Sequence, residues 1–195
     1  MNPVITLTKP KKSQKTMNKN NLSLHLLLLL LTISLPSTQS DDDLIDQICK
    51  KTPFYDLCTS TLKSNADPQN TDTKGLAGVM AGILLSNATD TLSYIRGQIS
   101  ETSDPQMERV LAYCAELYIP VVKYNLPQAI DALSKGRFEF ASDGISDAAK
   151  QADACEKKLS GPLKLSPLSE RNRLLHSLSD VAVAIVKLLL KGLIK

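Results

Sequence analysis

Apolar positions recur along most of the chain at helical spacing, and no run alternates convincingly with the period of a strand. Met107, Val110, Leu111, Cys114, Leu117, Tyr118 and Val121 fall three and four residues apart, the stripe of an amphipathic helix. Asp104-Pro105 opens that helix, aspartate as N-cap and proline at the first helical position. Pro120 and Pro127 predict a kink or short break before Leu126, Ile130 and Leu133 resume the stripe, which stops at Gly136. Beyond it, Ala141, Ile145, Ala148, Ala152, Cys155 and Leu159 recur at spacings of 4, 3, 4, 3 and 4, a heptad stripe of mostly small residues.

Two further long helices accompany this pair. Asp72 caps one that reaches to about Glu101, with Ala77, Met80, Leu84, Leu92, Ile95 and Ile99 on one broad face. Gly75, Gly78 and Gly82 weaken its first turns by about 1 kcal/mol each relative to alanine, so close helix packing is expected there. Ser160-Gly161-Pro162 ends the heptad helix, and Ser166-Pro167 opens the last, with Leu174, Leu178, Val181, Ile185 and Leu188 facing inward. Ahead of all four, Asp41 to Lys51 and Phe54 to Ser64 read as short helices turning at Pro53, followed by a linker from Asn65 to Thr71. The expected fold is all-α: an up-down-up-down four-helix bundle over residues 72–192, preceded by a helical hairpin over 41–64.

The first 40 residues have a different character. Lys9, Lys11, Lys12, Lys15 and Lys19 precede an apolar run from Leu22 to Leu35, with no acidic residue. That run is shorter than the roughly 20 residues of a membrane span. The segment reads as a secretory signal peptide, residues 1–40, cleaved after Ser40. Removing its five lysines from the 23 basic residues leaves 18 against 20 acidic ones, a formal charge of −2 for residues 41–195. The electrostatic motive for nucleic-acid binding disappears with it. Lys187 and Lys191 interrupt the apolar C-terminal run, which favours a core helix over a membrane anchor.

All four cysteines follow the signal, in a chain bound for an oxidising compartment, so two disulfides are expected. Three pairings exist; the spacing favours Cys49 with Cys58 across Thr52-Pro53, and Cys114 with Cys155 across Gly136. Loop entropy gives such closures about 2.5 to 4 kcal/mol each. A zinc site is disfavoured, because the segment has one histidine, His176, and no Cys-x-x-Cys. His176 reads as a partly exposed structural residue, and no cofactor is expected. The glycines fit no phosphate loop, and Asp41-Asp42-Asp43 point apart, as a solvated helix start does. A packed bundle without tryptophan offers a glycosidase no obvious cleft, so an enzyme is not expected. Asn87-Ala88-Thr89 matches the N-glycosylation acceptor pattern in mid-helix. The turn Ser134 to Phe140 forms an apex with two phenylalanines and mixed charge, which reads either as an ordinary helix turn whose Phe138 and Phe140 tuck into the core or as a docking edge.

The cysteine spacing, the run Leu126-Pro127-Gln128-Ala129-Ile130-Asp131-Ala132-Leu133-Ser134-Lys135-Gly136 and the stretch Ser179 to Leu189 resemble the plant invertase and pectin methylesterase inhibitors. The resemblance covers Asp41 to about Leu190. It implies a hairpin on a four-helix bundle with the disulfide pattern favoured above, and a non-catalytic protein that blocks the substrate cleft of a cell-wall or vacuolar enzyme. The invertase branch is the nearer match, which implies an acid invertase (β-fructofuranosidase) as partner and an apoplastic or vacuolar location; a pectin methylesterase is the alternative partner. In cell-wall invertase inhibitors a Pro-Lys-Phe motif after the Lys-Gly turn enters the active site, and Phe138, Glu139 and Phe140 correspond to it by position. Only the final phenylalanine is retained. Arg137, one residue earlier, can supply the missing cation. The expected target-binding residues are therefore Arg137, Phe138, Glu139 and Phe140, with Phe140 as anchor.

Overall fold

Each apolar stripe is a helix in the computed structural model, which describes residues 38–65, 72–160 and 168–192. The chain forms α1 (Thr38–Cys49), α2 (Tyr55–Asn65), α3 (Thr73–Glu101), α4 (Pro105–Pro120), a π-helical segment (Val121–Asn125), α5 (Leu126–Ser134), α6 (Phe138–Ser160) and α7 (Ser169–Leu190). No strand occurs among the described residues. The expected signal segment lies outside them, except that Thr38 to Ser40 already belong to α1. The Gly161-Pro162 stop, the Ser166-Pro167 start and most of the Asn65 to Thr71 linker also lie outside.

Helix starts follow the capping chemistry. The Asp72 carboxylate accepts the Gly75 N–H at 2.6 Å, and Asp104 accepts the Gln106 N–H at 2.8 Å with Pro105 behind it. Each satisfies a donor that the first helical turn leaves free. The bundle consists of four rods: α3, the continuous α4–π–α5 unit, α6 and α7. Its core includes Met80, Leu84, Ile95, Leu111, Tyr118, Ile145 and Leu159, all fully buried. Burial of each such side chain is worth about 1.5 to 3 kcal/mol. The heptad stripe of α6 is buried at all six positions, from Ala141 to Leu159.

The interruption expected between Pro120 and Pro127 is a π-helical turn: the Leu126 N–H bonds to the Val121 carbonyl five residues back, so the helix widens by one residue and continues. Proline lacks an N–H, and the wider turn carries the chain past two missing donors. Two other expectations need correction. On α7, Leu175 and not Leu174 faces the core; Leu174 is 36% exposed. The buried face there is broad, from Asn172 and Leu175 round to Ile185 and Val186, wider than a single heptad line. Close packing does not explain Gly78 or Gly82 on α3, because a Cβ at either would meet nothing within 4 Å. The close approach is at Gly144 on α6, where a Cβ would lie 2.9 Å from the Asn125 carbonyl oxygen and 3.2 Å from Ala129 Cβ. A larger residue there would push α6 off the π-helical segment.

Two disulfides fasten this frame. Cys49–Cys58 joins α1 to α2 with Cα atoms 5.5 Å apart, and Cys114–Cys155 joins α4 to α6 at 4.9 Å. Beside the second, Tyr118 donates its hydroxyl to Asn172 Oδ1 at 2.8 Å, and Asn172 Nδ2 donates to Glu156 Oε2 at 2.8 Å. Burial, followed by the nearby Glu156 carboxylate, pushes the Tyr118 phenol well above its usual pKa, so it remains a hydrogen-bond donor. His176 bridges α6 and α7, with Nδ1 2.8 Å from Asp153 and Nε2 3.3 Å from Asp180. It is the partly exposed structural histidine expected from the sequence.

Candidate functional site

The apex is a helix stop followed at once by a helix start. Gly136 adopts φ +71°, the left-handed conformation that glycine enters without steric cost. Its N–H bonds to the Leu133 carbonyl at 3.1 Å, and the Arg137 N–H reaches the Ala132 carbonyl at 2.8 Å. These two bonds form a Schellman cap on α5. The Arg137 carbonyl then accepts the Ala141 N–H at 3.1 Å, opening α6. No residue between the helices is left without a defined backbone role, so the turn is preorganised.

The side chains divide between inward and outward. Phe138 is half-buried against the core, and Phe140 is 49% exposed on the first turn of α6. Phe138 therefore seats the turn, while Phe140 presents its ring to solvent. Arg137 lies between two partners: its Nη2 is 3.0 Å from Asp131 Oδ2, and its guanidinium carbon is 5.5 Å from the Phe140 ring centroid. Asp131 also holds Lys135, with Nζ 2.8 Å from Oδ1. The Lys135 hydrogen bond holds the Asp131 carboxyl below its usual range; desolvation opposes it, and the attraction of Lys135 and Arg137 adds to it. Glu139 is exposed in the first turn of α6, where the helix dipole favours a negative charge.

The structure thus brings Arg137, Phe138, Glu139 and Phe140 to one turn, with Phe138 supporting and Phe140 outermost. Sequence reasoning missed Asp131 as the residue that fixes Arg137; its spacing of four from Lys135 was the available signal. Next to the apex, Asp72, Gly75, Gly78, Ile130, Leu133 and Ser134 line an open groove of about 580 Å³ between α3 and α5. The bare glycines of α3 help to keep that groove open. Asn87 lies apart from the apex, half-buried in mid-α3, with Nδ2 donating to the Ile83 carbonyl at 3.1 Å.

The apex is thus a preformed turn on a helical frame that presents an aromatic ring and a paired cation at the surface. The chain belongs to the plant invertase/pectin methylesterase inhibitor family, whose model matches residues 43–185. This is a family of proteinaceous inhibitors and not of enzymes. The chain is 34% identical over 146 residues to the cell wall / vacuolar inhibitor of fructosidase 1 of Arabidopsis thaliana, covering 75% of this chain and 69% of the relative. It is 35% identical over 113 residues to inhibitor of fructosidase 2 of the same plant, covering 57% and 62%. Among solved structures, a mutant form of a pectin methylesterase inhibitor from Arabidopsis superposes with a TM-score of 0.65 at 21% identity, covering 73% of this chain and 95% of that one. That likeness establishes the shared fold.

Proposed function

We propose that the protein inhibits an acid invertase by seating the α5–α6 apex in the enzyme's substrate cleft, with Phe140 as the anchor. The observation that carries this reading is the exposed Phe140 ring on a fully hydrogen-bonded turn, with the Arg137 guanidinium 5.5 Å over its centroid. The likeness to two relatives named as inhibitors of fructosidase favours invertase over pectin methylesterase. An invertase active site is built on carboxylates, so Glu139 in place of the motif lysine is repulsive there, and Arg137 restores the complementary charge. Asp131 limits the freedom of Arg137 before binding, which lowers the entropy lost on docking. Residues 1–40 act as the signal that delivers the domain, residues 41–195, to the cell wall or vacuole.

The test is a titration of the purified protein, without residues 1–40, against cell-wall invertase, vacuolar invertase and pectin methylesterase at mildly acidic pH. Saturable inhibition of an invertase with pectin methylesterase unaffected is the expected result. Inhibition of pectin methylesterase alone, or silence in all three assays, would overturn the reading.

A further inference from the structure

At the far end of α6 from the apex, Gln106, Arg109, Tyr113 and Glu116 of α4 face Lys157 and Lys158 of α6 across an open groove of about 860 Å³. Three cations converge there, and among the described residues none of them has an ion-pair partner. The Tyr113 ring is 38% exposed, and Lys158 Nζ lies 5.4 Å from its centroid, which holds the ammonium at the groove wall. With Glu116 as the only acid in the lining, the groove carries a net formal charge of +2. The rest of the domain is acidic.

We propose that this groove binds an acidic sugar chain, a polyuronate. Such a chain repeats a carboxylate at every residue, which suits cations on both walls, and offers an apolar C–H face to an exposed tyrosine. Gln106 adds an amide for sugar hydroxyls. Single-stranded nucleic acid would also place anions in the groove, but its successive bases need several aromatic rings to stack on, and the lining holds one, Tyr113. Lys157 and Phe138 are nineteen residues apart on α6, about 28 Å at 1.5 Å per residue. Polysaccharide at one end therefore leaves the apex free at the other, and the inhibitor can be held on an acidic matrix while it docks to an enzyme. The groove's chemistry does not depend on which enzyme the apex fits.

Isothermal titration of the protein with an oligogalacturonate tests this directly. Saturable binding is expected that weakens as salt rises. The fully methyl-esterified oligomer, which keeps the sugar chain but loses its charge, should bind about tenfold or more weakly. The variant Arg109→Gln/Lys157→Gln/Lys158→Gln should lose a comparable factor with an unchanged melting temperature, since all three side chains are on the surface. Tyr113→Ala should weaken binding several-fold while keeping the charge. No binding by the unaltered protein, equal binding of the esterified oligomer, full binding by the folded triple variant, or equally tight binding of single-stranded DNA would each overturn the proposal.

Discussion

The hairpin made by α4, α5 and α6 has two ends held in different ways. At its base, Cys114–Cys155 and the buried Tyr118–Asn172–Glu156 chain tie α4, α6 and α7 together with little access to water. At its tip, the Asp131 clamp on Lys135 and Arg137 lies on the surface with each side chain about half exposed, and the backbone bonds around Gly136 set the shape. Exposed ion pairs contribute little to stability, whereas buried hydrogen bonds and cross-links contribute much. Stability is therefore concentrated at the base, away from the tip proposed to dock, and the two can be changed separately.

The largest loss of stability should follow Cys114→Ala/Cys155→Ala. The cross-link spans 41 residues, which the loop-entropy model values at about 4 kcal/mol. Urea unfolding of the double variant should show a loss of that order, and inhibition should fall only as far as the folded fraction falls. Next comes Gly144→Ala, which sets a Cβ 2.9 Å from a backbone oxygen in the middle of the hairpin and should cost about 1 to 3 kcal/mol. Alanine at Gly82, where nothing lies within 4 Å, should instead leave stability unchanged or raise it. Tyr118→Phe removes the donor to a buried Asn172 oxygen, and thermal unfolding should report a loss of about 1 to 3 kcal/mol.

Changes at the tip should hardly register in unfolding experiments. Asp131→Asn should leave the urea midpoint nearly in place while weakening inhibition, because Arg137 is released from its position over Phe140. The pH dependence has a defined sign. A carboxyl with a lowered folded pKa contributes stability that is present above its ordinary value of 3.8 and is lost as the pH falls through the folded value. The clamp therefore persists in a mildly acidic compartment. A carboxyl NMR titration should place the Asp131 midpoint below 3.8, and Lys135→Met should move it back up.

Much of the frame was legible because small and apolar residues at heptad spacing have few alternatives. Ala141, Ile145, Ala148, Ala152, Cys155 and Leu159 were read as one line and are buried as one line. Where several adjacent apolar residues compete, as at Leu174 and Leu175, periodicity alone does not fix the phase, and packing chose the second. Glycines gave the opposite difficulty. A missing side chain signals either a close approach or a free surface, and the sequence does not distinguish Gly78 and Gly82, which are open, from Gly144, where the approach occurs. The partnership of Tyr118 with Asn172 joins residues 54 apart in sequence, and nothing local to either announces it. At the tip, the turn was evident from Lys135-Gly136, but which phenylalanine faces outward depends on where α6 begins. That start is set by the Arg137 carbonyl capping Ala141, a backbone detail below the reach of pattern reading.

The most direct measurement is the inhibition constant of Phe140→Ala against acid invertase, taken beside its melting curve. Truncating an anchor at the centre of an interface typically costs about 2 kcal/mol or more, so inhibition should weaken by about thirtyfold or more while the melting temperature stays in place. Undiminished inhibition by a folded Phe140→Ala protein would contradict the account and place the docking surface elsewhere on the bundle.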